Sequence, residues 1–185
     1  MRKLCVLGST GSIGVSTLDV VALHPDKYDV VSLSAKQNVE RMFQQCLQFK
    51  PQVVVMTDPD AANKLRQILE NSPVSYIEVL EGSDALVDVA KDSGVDTVMA
   101  AIVGASGLLP TLAAVNAGKR VLLANKESLV MSGAIFMEAV IRSGAELLPI
   151  DSEHNAIFQC LPHGEQNRIG HCQLSNNGIS KILLT

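Results

Sequence analysis

Two carboxylates stand one residue apart near the end of the sequence, at Asp151 and Glu153, with Ser152 between them. Two ionised acids at this spacing repel each other unless a cation, a proton or bulk water offsets their charge. Carboxylate oxygens suit Mg²⁺ or Mn²⁺, so the pair predicts a metal site. The alternative is that Asp151 only caps the helix predicted over EHNAIFQCL, which accounts for one acid of the two. His154 and Asn155 are interpreted as residues that begin this helix or support the ligands.

A glycine-rich loop near the start of the chain is a second candidate for chemistry. Gly8, Gly11 and Gly14 lie between an apolar run and a helical pattern in VLGSTGSIGVSTLDVV. A tight turn between a strand and a helix directs backbone N–H groups and the positive helix end towards a pyrophosphate. The spacing is G-x-x-G-x-x-G and not the commoner G-x-G-x-x-G, but its place in the first strand–helix unit favours a dinucleotide site. The alternative is an ordinary turn whose hydroxyl side chains cap the helix.

The second predicted strand ends in SLSAKQN, where an NAD site usually carries an acid for the ribose 2′-hydroxyl. This stretch contains Ser34 and Lys36 and has no carboxylate. A positive charge here suits a 2′-phosphate, so NADP(H) is predicted over NAD(H). The alternative is a lysine that only faces solvent.

Two further loops follow apolar runs, in AAIVGASGLLP and LLANKESLV. In an open parallel sheet the ligand crevice lies beyond the carboxyl ends of the strands, so both loops are expected beside the cofactor. Asn125, Lys126 and Glu127 form a polar cluster in the second loop. Lys126 is a candidate for holding an anionic or carbonyl oxygen of a substrate, or else a surface lysine. Glu127 suits the first turn of the next helix.

Short β-branched or aliphatic runs alternate with helical patterns along the chain. This alternation predicts an α/β fold with a doubly wound, mostly parallel sheet. Residues 1–150 are interpreted as one domain. Residues 151–185 are more polar in composition and are interpreted as the start of a second domain. The chain ends on an apolar strand, so we expect it to be part of a longer protein, the alternative being a natural edge strand. The predicted strands are 3–8, 29–35, 52–57, 77–80, 96–102, 120–125, 146–150 and 181–185, and the clearest helices are 39–49, 61–71 and 108–118.

Composition excludes several classes of protein. The 185 residues are 47% hydrophobic and carry a net charge of −4. The basic residues are scattered along the sequence, so no basic cluster predicts nucleic-acid binding. No run reaches membrane-spanning length, and the start of the chain does not fit a secretory leader. Four cysteines without C-x-x-C spacing predict reduced thiols and a cytoplasmic protein.

The stretches GSTGSIG, AAIVGASGLLPTLAAVNAGK, LLANKESLV and PIDSEHNAIFQ, in this order, resemble the 1-deoxy-D-xylulose 5-phosphate reductoisomerase family. The resemblance covers essentially the whole chain. It implies a Rossmann-like NADPH-binding domain over 1–150 and the beginning of an α+β catalytic domain over 151–185. It also implies NADPH- and metal-dependent isomerisation and reduction of a sugar phosphate in non-mevalonate isoprenoid biosynthesis, by an enzyme that is generally a homodimer.

The resemblance also implies roles for individual residues. Lys126, Asp151 and Glu153 become the catalytic set, with Lys126 and Ser152 on the substrate and the two acids on Mg²⁺ or Mn²⁺. A third metal carboxylate, the mobile flap and the main substrate-phosphate residues are expected beyond Thr185. Many relatives read AGKN where this chain reads AKQN, which leaves open whether Lys36 or Gln37 meets the 2′-phosphate. The expected cofactor-binding residues are Gly8, Thr10, Gly11, Ser12, Ile13, Gly14, Lys36, Gln37, Asn38, Asn125 and Glu127.

Two alternatives remain open from the sequence. An NADP-dependent dehydrogenase of the homoserine or semialdehyde type would use the glycine loop equally well, but it leaves the acid pair unexplained. The other alternative is a cofactor-binding module, or a dimerisation fragment, that has no turnover of its own. The 185-residue chain alone is expected to be inactive, because two carboxylates without a third and without a flap bind metal weakly and exclude water poorly.

Overall fold

The computed structural model describes residues 1–124, 126–161, 175 and 178–181. Seven strands form one parallel sheet in the order β4-β3-β2-β1-β5-β6-β7. The strands are β1 Arg2–Leu7, β2 Tyr28–Ala35, β3 Val53–Met56, β4 Glu78–Glu81, β5 Thr97–Ala100, β6 Arg120–Leu123 and β7 Glu146–Pro149. The helices are α1 Ser12–Leu23, α2 Val39–Phe49, α3 Pro59–Glu70, α4 Gly82–Lys91, α5 Leu108–Asn116, α6 Glu127–Ser143 and α7 Ser152–Cys160, with a 3₁₀ turn at Ala105–Gly107.

Helices cover both faces of the sheet. Leu4 and Val6 of β1 pack with apolar residues of α1, α2 and α3, whereas Cys5 and Leu7 pack with those of α4, α5 and α6. Successive side chains of a strand point to opposite faces, so the fully apolar run LCVL is what a strand buried on both faces requires. The predicted α/β, doubly wound sheet is confirmed.

The first seven predicted strands are confirmed, with ends that differ by a few residues. The predicted strand 181–185 falls almost wholly outside the described residues. The predicted domain boundary near residue 150 falls between β7 and α7, and most of the segment after α7 is likewise outside them. In the described part of the chain, no helix is long and apolar enough to cross a membrane.

Two cysteines lie in the two cores and are fully buried. Cys5 and Cys46 are each 0% exposed, and burial raises the pKa of both thiols to about 12. Cys160 is exposed at the end of α7, and all three are free thiols. Cys172 lies outside the described residues.

We therefore expect iodoacetamide at pH 8 to alkylate Cys160 while leaving Cys5 and Cys46 unmodified until the protein is unfolded in urea. The thiolate is the reactive form, and a pKa of about 12 leaves almost none of it at this pH. Peptide mass spectrometry, which separates the sites, measures the outcome. Labelling of Cys5 in the native protein at the rate of Cys160 would contradict the burial.

Candidate active site at the carboxyl edge of the sheet

The glycine loop joins β1 to α1, and two of its glycines are fixed by close backbone contacts. Gly8 has a φ of +81°, and a Cβ there would lie 2.8 Å from the carbonyl oxygen of Ala101. A Cβ on Gly14 would lie 2.3 Å from the carbonyl oxygen of Gly8 and 2.6 Å from Ser9 Cα. No side chain fits at either place, so these two glycines let α1 start directly against the end of β1.

The amino end of α1 is open to a ligand. Gly11 is the N-cap, and no side chain caps the helix there. Gly11, Ser12 and Ile13 are exposed. The first turn of a helix leaves backbone N–H groups without helical partners, and together with the helix dipole they favour an anion. The capping role considered for the loop hydroxyls is thus not used, and the loop retains an anion-binding end.

Hydrogen bonds attach the glycine loop to β2 and α2. The Gly8 N–H donates to Ser34 Oγ at 3.0 Å, and the Ser9 N–H donates to the Ser34 carbonyl at 2.8 Å. The Ser9 hydroxyl in turn donates to Gln45 Oε1 at 2.7 Å. Ser34 stands out in the sequence at the end of the second predicted strand, whereas Gln45 lies inside a helical pattern and was not predicted to contact the loop. The signal was present, since Gln45 is a polar residue in the buried stripe that α2 forms with Met42 and Cys46.

A cleft of about 630 Å³ opens in front of the glycine loop, at the carboxyl ends of β1, β2 and β5. Lys36, Gln37 and Asn38 are all exposed, and of the three only Lys36 lines the cleft. Asn38 has a structural task, because its Oδ1 accepts the Arg41 N–H at 3.1 Å and caps α2. Of the three residues predicted here, Lys36 is therefore the one that the fold directs to the cleft. The cleft is lined by Gly8, Thr10, Gly11, Ser34, Ala35, Lys36, Thr57, Ser83, Leu86, Ala101, Ile102, Val103 and Ser106.

The acid pair follows β7, and Lys126 follows β6. Lys126 Nζ lies 3.1 Å from Asp151 Oδ2, and the Asp151 side chain is only 15% exposed. Hydrogen bonding with Glu153, and then with the Lys126 ammonium, lowers the pKa of Asp151. The hydrogen bond to Asp151 correspondingly raises the pKa of Lys126. The Lys126 ammonium thus offsets part of the charge of the two neighbouring acids.

Asp151 holds the N-cap position of α7, yet its side chain makes no capping hydrogen bond. Its Oδ1 is buried and has no hydrogen-bond partner within the described part of the chain, although His154 Nδ1 stands 3.7 Å away. A buried carboxylate oxygen without a partner is costly, and a bound cation would remove that cost. This oxygen fits a metal ligand better than it fits a helix cap.

The neighbours of Asp151 are arranged around it. Glu153 is exposed, and the Ser152 hydroxyl is 3.4 Å from Glu153 Oε2. Asn155 Nδ2 donates to the Pro149 carbonyl at 2.7 Å and fastens α7 to the end of β7. Glu127 begins α6, as its sequence position predicted. Within the described residues no group of three His, Cys, Asp or Glu side chains could hold a metal, and Asn125 lies outside them.

The glycine loop, Lys126 and Asp151 share one edge of the sheet, because each follows the carboxyl end of a parallel strand. β1 and β7 are three strand steps apart, which corresponds to about 14 Å. That separation suits a phosphate at one end of an extended ligand and a reacting centre near the other.

The family model of 1-deoxy-D-xylulose 5-phosphate reductoisomerase matches residues 4–133, from β1 into α6. The chain belongs to this family. The reductoisomerase from Colwellia psychrerythraea is 67% identical over 184 residues, which cover 100% of this chain and 45% of that protein. The chain therefore spans about half the length of the curated reductoisomerases it matches.

Solved reductoisomerase structures show the same fold. One, described as a complex with NADPH, fosmidomycin and magnesium, is 45% identical with a TM-score of 0.86, over 90% of this chain and 40% of that one. The reductoisomerase from Zymomonas mobilis in complex with NADPH is 47% identical with a TM-score of 0.83, over 89% of this chain and 42% of that one. The sequence resemblance to the reductoisomerase family is confirmed.

Proposed function

We propose that this chain supplies the NADPH-binding domain, over 1–150, and the first part of the catalytic domain, over 151–185, of a 1-deoxy-D-xylulose 5-phosphate reductoisomerase. The observation that carries the proposal is the placement of an anion-binding glycine loop and a Lys126–Asp151 pair at the same sheet edge. The whole enzyme isomerises and reduces its sugar phosphate to 2-C-methyl-D-erythritol 4-phosphate in non-mevalonate isoprenoid biosynthesis. It is a cytoplasmic homodimer.

The glycine loop and the first turn of α1 bind the pyrophosphate of NADPH. Thr10 and Gly11 line the cleft, and Ser12 and Ile13 are exposed in the first turn of α1. Lys36 lines the same cleft as Thr10 and Gly11 at the end of β2, where the ribose 2′-phosphate binds. A lysine without a carboxylate at this place favours a phosphate over a bare hydroxyl. Asn125 and Glu127 complete the nucleotide site after β6. When bound, NADPH supplies the hydride.

Asp151 and Glu153 hold Mg²⁺ or Mn²⁺. The support is the chemistry of the donors, since Asp151 Oδ1 is a buried carboxylate oxygen that no described residue hydrogen-bonds, and Glu153 is exposed beside it. Two carboxylates leave further ligand positions to be filled from outside the described residues or by substrate oxygens. When bound, the metal acts as a Lewis acid on adjacent substrate oxygens.

Lys126 and Ser152 position the substrate. The Lys126 ammonium is half exposed and already held by Asp151, so it can orient a substrate oxygen and balance its negative charge. The Lys126 ammonium is charged at neutral pH, as a lysine ordinarily is, and the hydrogen bond to Asp151 raises its pKa further. The 185-residue chain alone binds nucleotide but shows no turnover, because the rest of the enzyme is needed to complete the metal site and exclude water. Turnover by the isolated chain would contradict the proposal that the rest of the enzyme is needed for catalysis.

A fluorescence titration of the purified chain with NADPH and, separately, with NADH tests the nucleotide assignment. We expect tight binding of NADPH and much weaker binding of NADH. Lys36→Ala should weaken NADPH binding about tenfold, because a hydrogen bond between charged groups contributes roughly 1.5 kcal/mol. The same substitution should leave NADH binding almost unchanged.

Lys27→Ala is the matched control, since Lys27 is an exposed lysine at the opposite, amino end of β2. It should not change binding of either nucleotide. Equal affinity of the unsubstituted chain for NADPH and NADH would refute the assignment of Lys36, and absence of binding would refute the nucleotide site itself.

A further inference from the structure

Helix α2 presents two polar side chains to the back of the glycine loop. Gln45 is only 7% exposed, and its Nε2 donates to the Ser9 carbonyl at 2.8 Å while its Oε1 accepts from the Ser9 hydroxyl. One turn earlier, Arg41 Nη1 donates to the Thr10 carbonyl at 3.2 Å. Two successive carbonyls of the loop are therefore bound from α2.

These contacts fix the direction of the loop N–H groups. The peptide unit is planar and trans, so its C=O and N–H point in opposite directions. With the Ser9 carbonyl held towards α2, the Thr10 N–H is directed away from α2, to the side of the cleft that Thr10 lines. Gly11 closes the turn, because its N–H donates to the Gly8 carbonyl at 3.1 Å. The loop is thus held in its anion-binding shape before any ligand arrives.

The amide of Gln45 is matched to the glycine loop and not to the apolar core around it. Gln45 stands between the buried Met42 and Cys46, so its amide carries a desolvation cost that an apolar side chain would not, and in return it supplies hydrogen bonds to the fully buried Ser9. Both polar ends of the amide are used on one residue of the loop, Ser9. The cost is repaid if the loop must keep one defined shape for binding.

We propose that Gln45 is a positioning residue for nucleotide binding, which acts through the Ser9–Thr10 peptide and does not itself touch the nucleotide. Arg41 supports the next peptide in the same way. This inference rests on the proposed nucleotide function of the glycine loop.

The test compares Gln45→Met with Gln44→Met, the same substitution at an exposed position of the same helix. NADPH affinity is measured by fluorescence at a temperature where all variants are fully folded, and amide hydrogen exchange of the loop is followed in parallel. Gln45→Met removes both hydrogen bonds to Ser9 and should raise the Kd about tenfold, because the buried Ser9 carbonyl loses the donor that orients it. It should also speed exchange in the loop, whereas Gln44→Met should change neither measurement.

Ser9→Ala separates the two contacts of Gln45, because it removes the hydroxyl that donates to Gln45 Oε1 and keeps the carbonyl that accepts from Gln45 Nε2. If Gln45 acts through the Ser9–Thr10 peptide, Ser9→Ala should raise the Kd and speed loop exchange less than Gln45→Met does, and equal effects of the two substitutions would refute the peptide as the route. A lower melting temperature of Gln45→Met with unchanged Kd and unchanged loop exchange would overturn the positioning role. If the unsubstituted chain does not bind NADPH, the proposed function fails by itself, and unchanged loop exchange in Gln45→Met would independently refute the positioning of the loop.

Discussion

Replacing Asp151 with asparagine is expected to lower kcat/KM about a thousandfold, which corresponds to roughly 4 kcal/mol of transition-state stabilisation. The assay uses a chimera in which residues 1–185 replace the matching part of the Colwellia psychrerythraea reductoisomerase. Asparagine keeps the size of the side chain but removes its negative charge. The Lys126 ammonium then loses its partner, and a divalent cation loses an anionic ligand. NADPH oxidation with 1-deoxy-D-xylulose 5-phosphate, followed by absorbance, gives the rate.

Glu138→Gln is the matched control, because Glu138 is an exposed acid on α6. It loses the same charge and should retain the rate of the unsubstituted chimera. NADPH affinity should be unchanged in both variants, since neither residue lies in the nucleotide cleft. An Asp151→Asn chimera as active as Glu138→Gln would show that Asp151 serves only as the first residue before α7.

Gly14→Ala is expected to destabilise the protein by about 3 kcal/mol, at the upper end of the usual cost of overpacking. The new Cβ would stand 2.3 Å from the Gly8 carbonyl oxygen, so α1 must move away from the end of β1. That displacement also opens the loop, and we expect NADPH binding to be lost in the fraction that remains folded. Urea unfolding measures the first effect, and nucleotide titration below the unfolding transition measures the second.

Gly133→Ala provides the comparison, because a Cβ on this glycine of α6 meets nothing within 4 Å. Exchanging glycine for alanine inside a helix stabilises it by up to about 1 kcal/mol. NADPH binding should be unchanged in Gly133→Ala. Equal stability of the two alanine variants would mean that the contact between Gly14 and Gly8 is not required.

The sheet could be predicted from the sequence because each strand is a short apolar run between polar or glycine-containing turns. The glycine loop was predictable for a related reason, since the turn after β1 requires glycine at Gly8 and Gly14. The role of Asp151 was not predictable, because an aspartate before a helix suits capping and metal binding equally well. Only the structure shows that the Asp151 side chain does not cap α7.

Contacts between residues that are far apart in the chain could not be predicted from the sequence either. Lys126 and Asp151 meet because β6 and β7 are neighbours, and the sequence does not specify that order. Gln45 reaches Ser9 because α2 packs behind the loop, although the two residues are 36 positions apart. Local patterns identify elements, whereas a site built from several elements depends on how they are arranged.

The middle position of β1 makes the order of synthesis matter. β1 pairs with β2 on one side and with β5 on the other. Until the ribosome has released Thr97–Ala100, one edge of β1 has no partner strand, and the apolar residues from Leu4 to Leu7 border that edge. Open apolar strand edges pair readily with other chains. The nascent polypeptide should therefore be most prone to aggregation, and most dependent on chaperones, before β5 emerges.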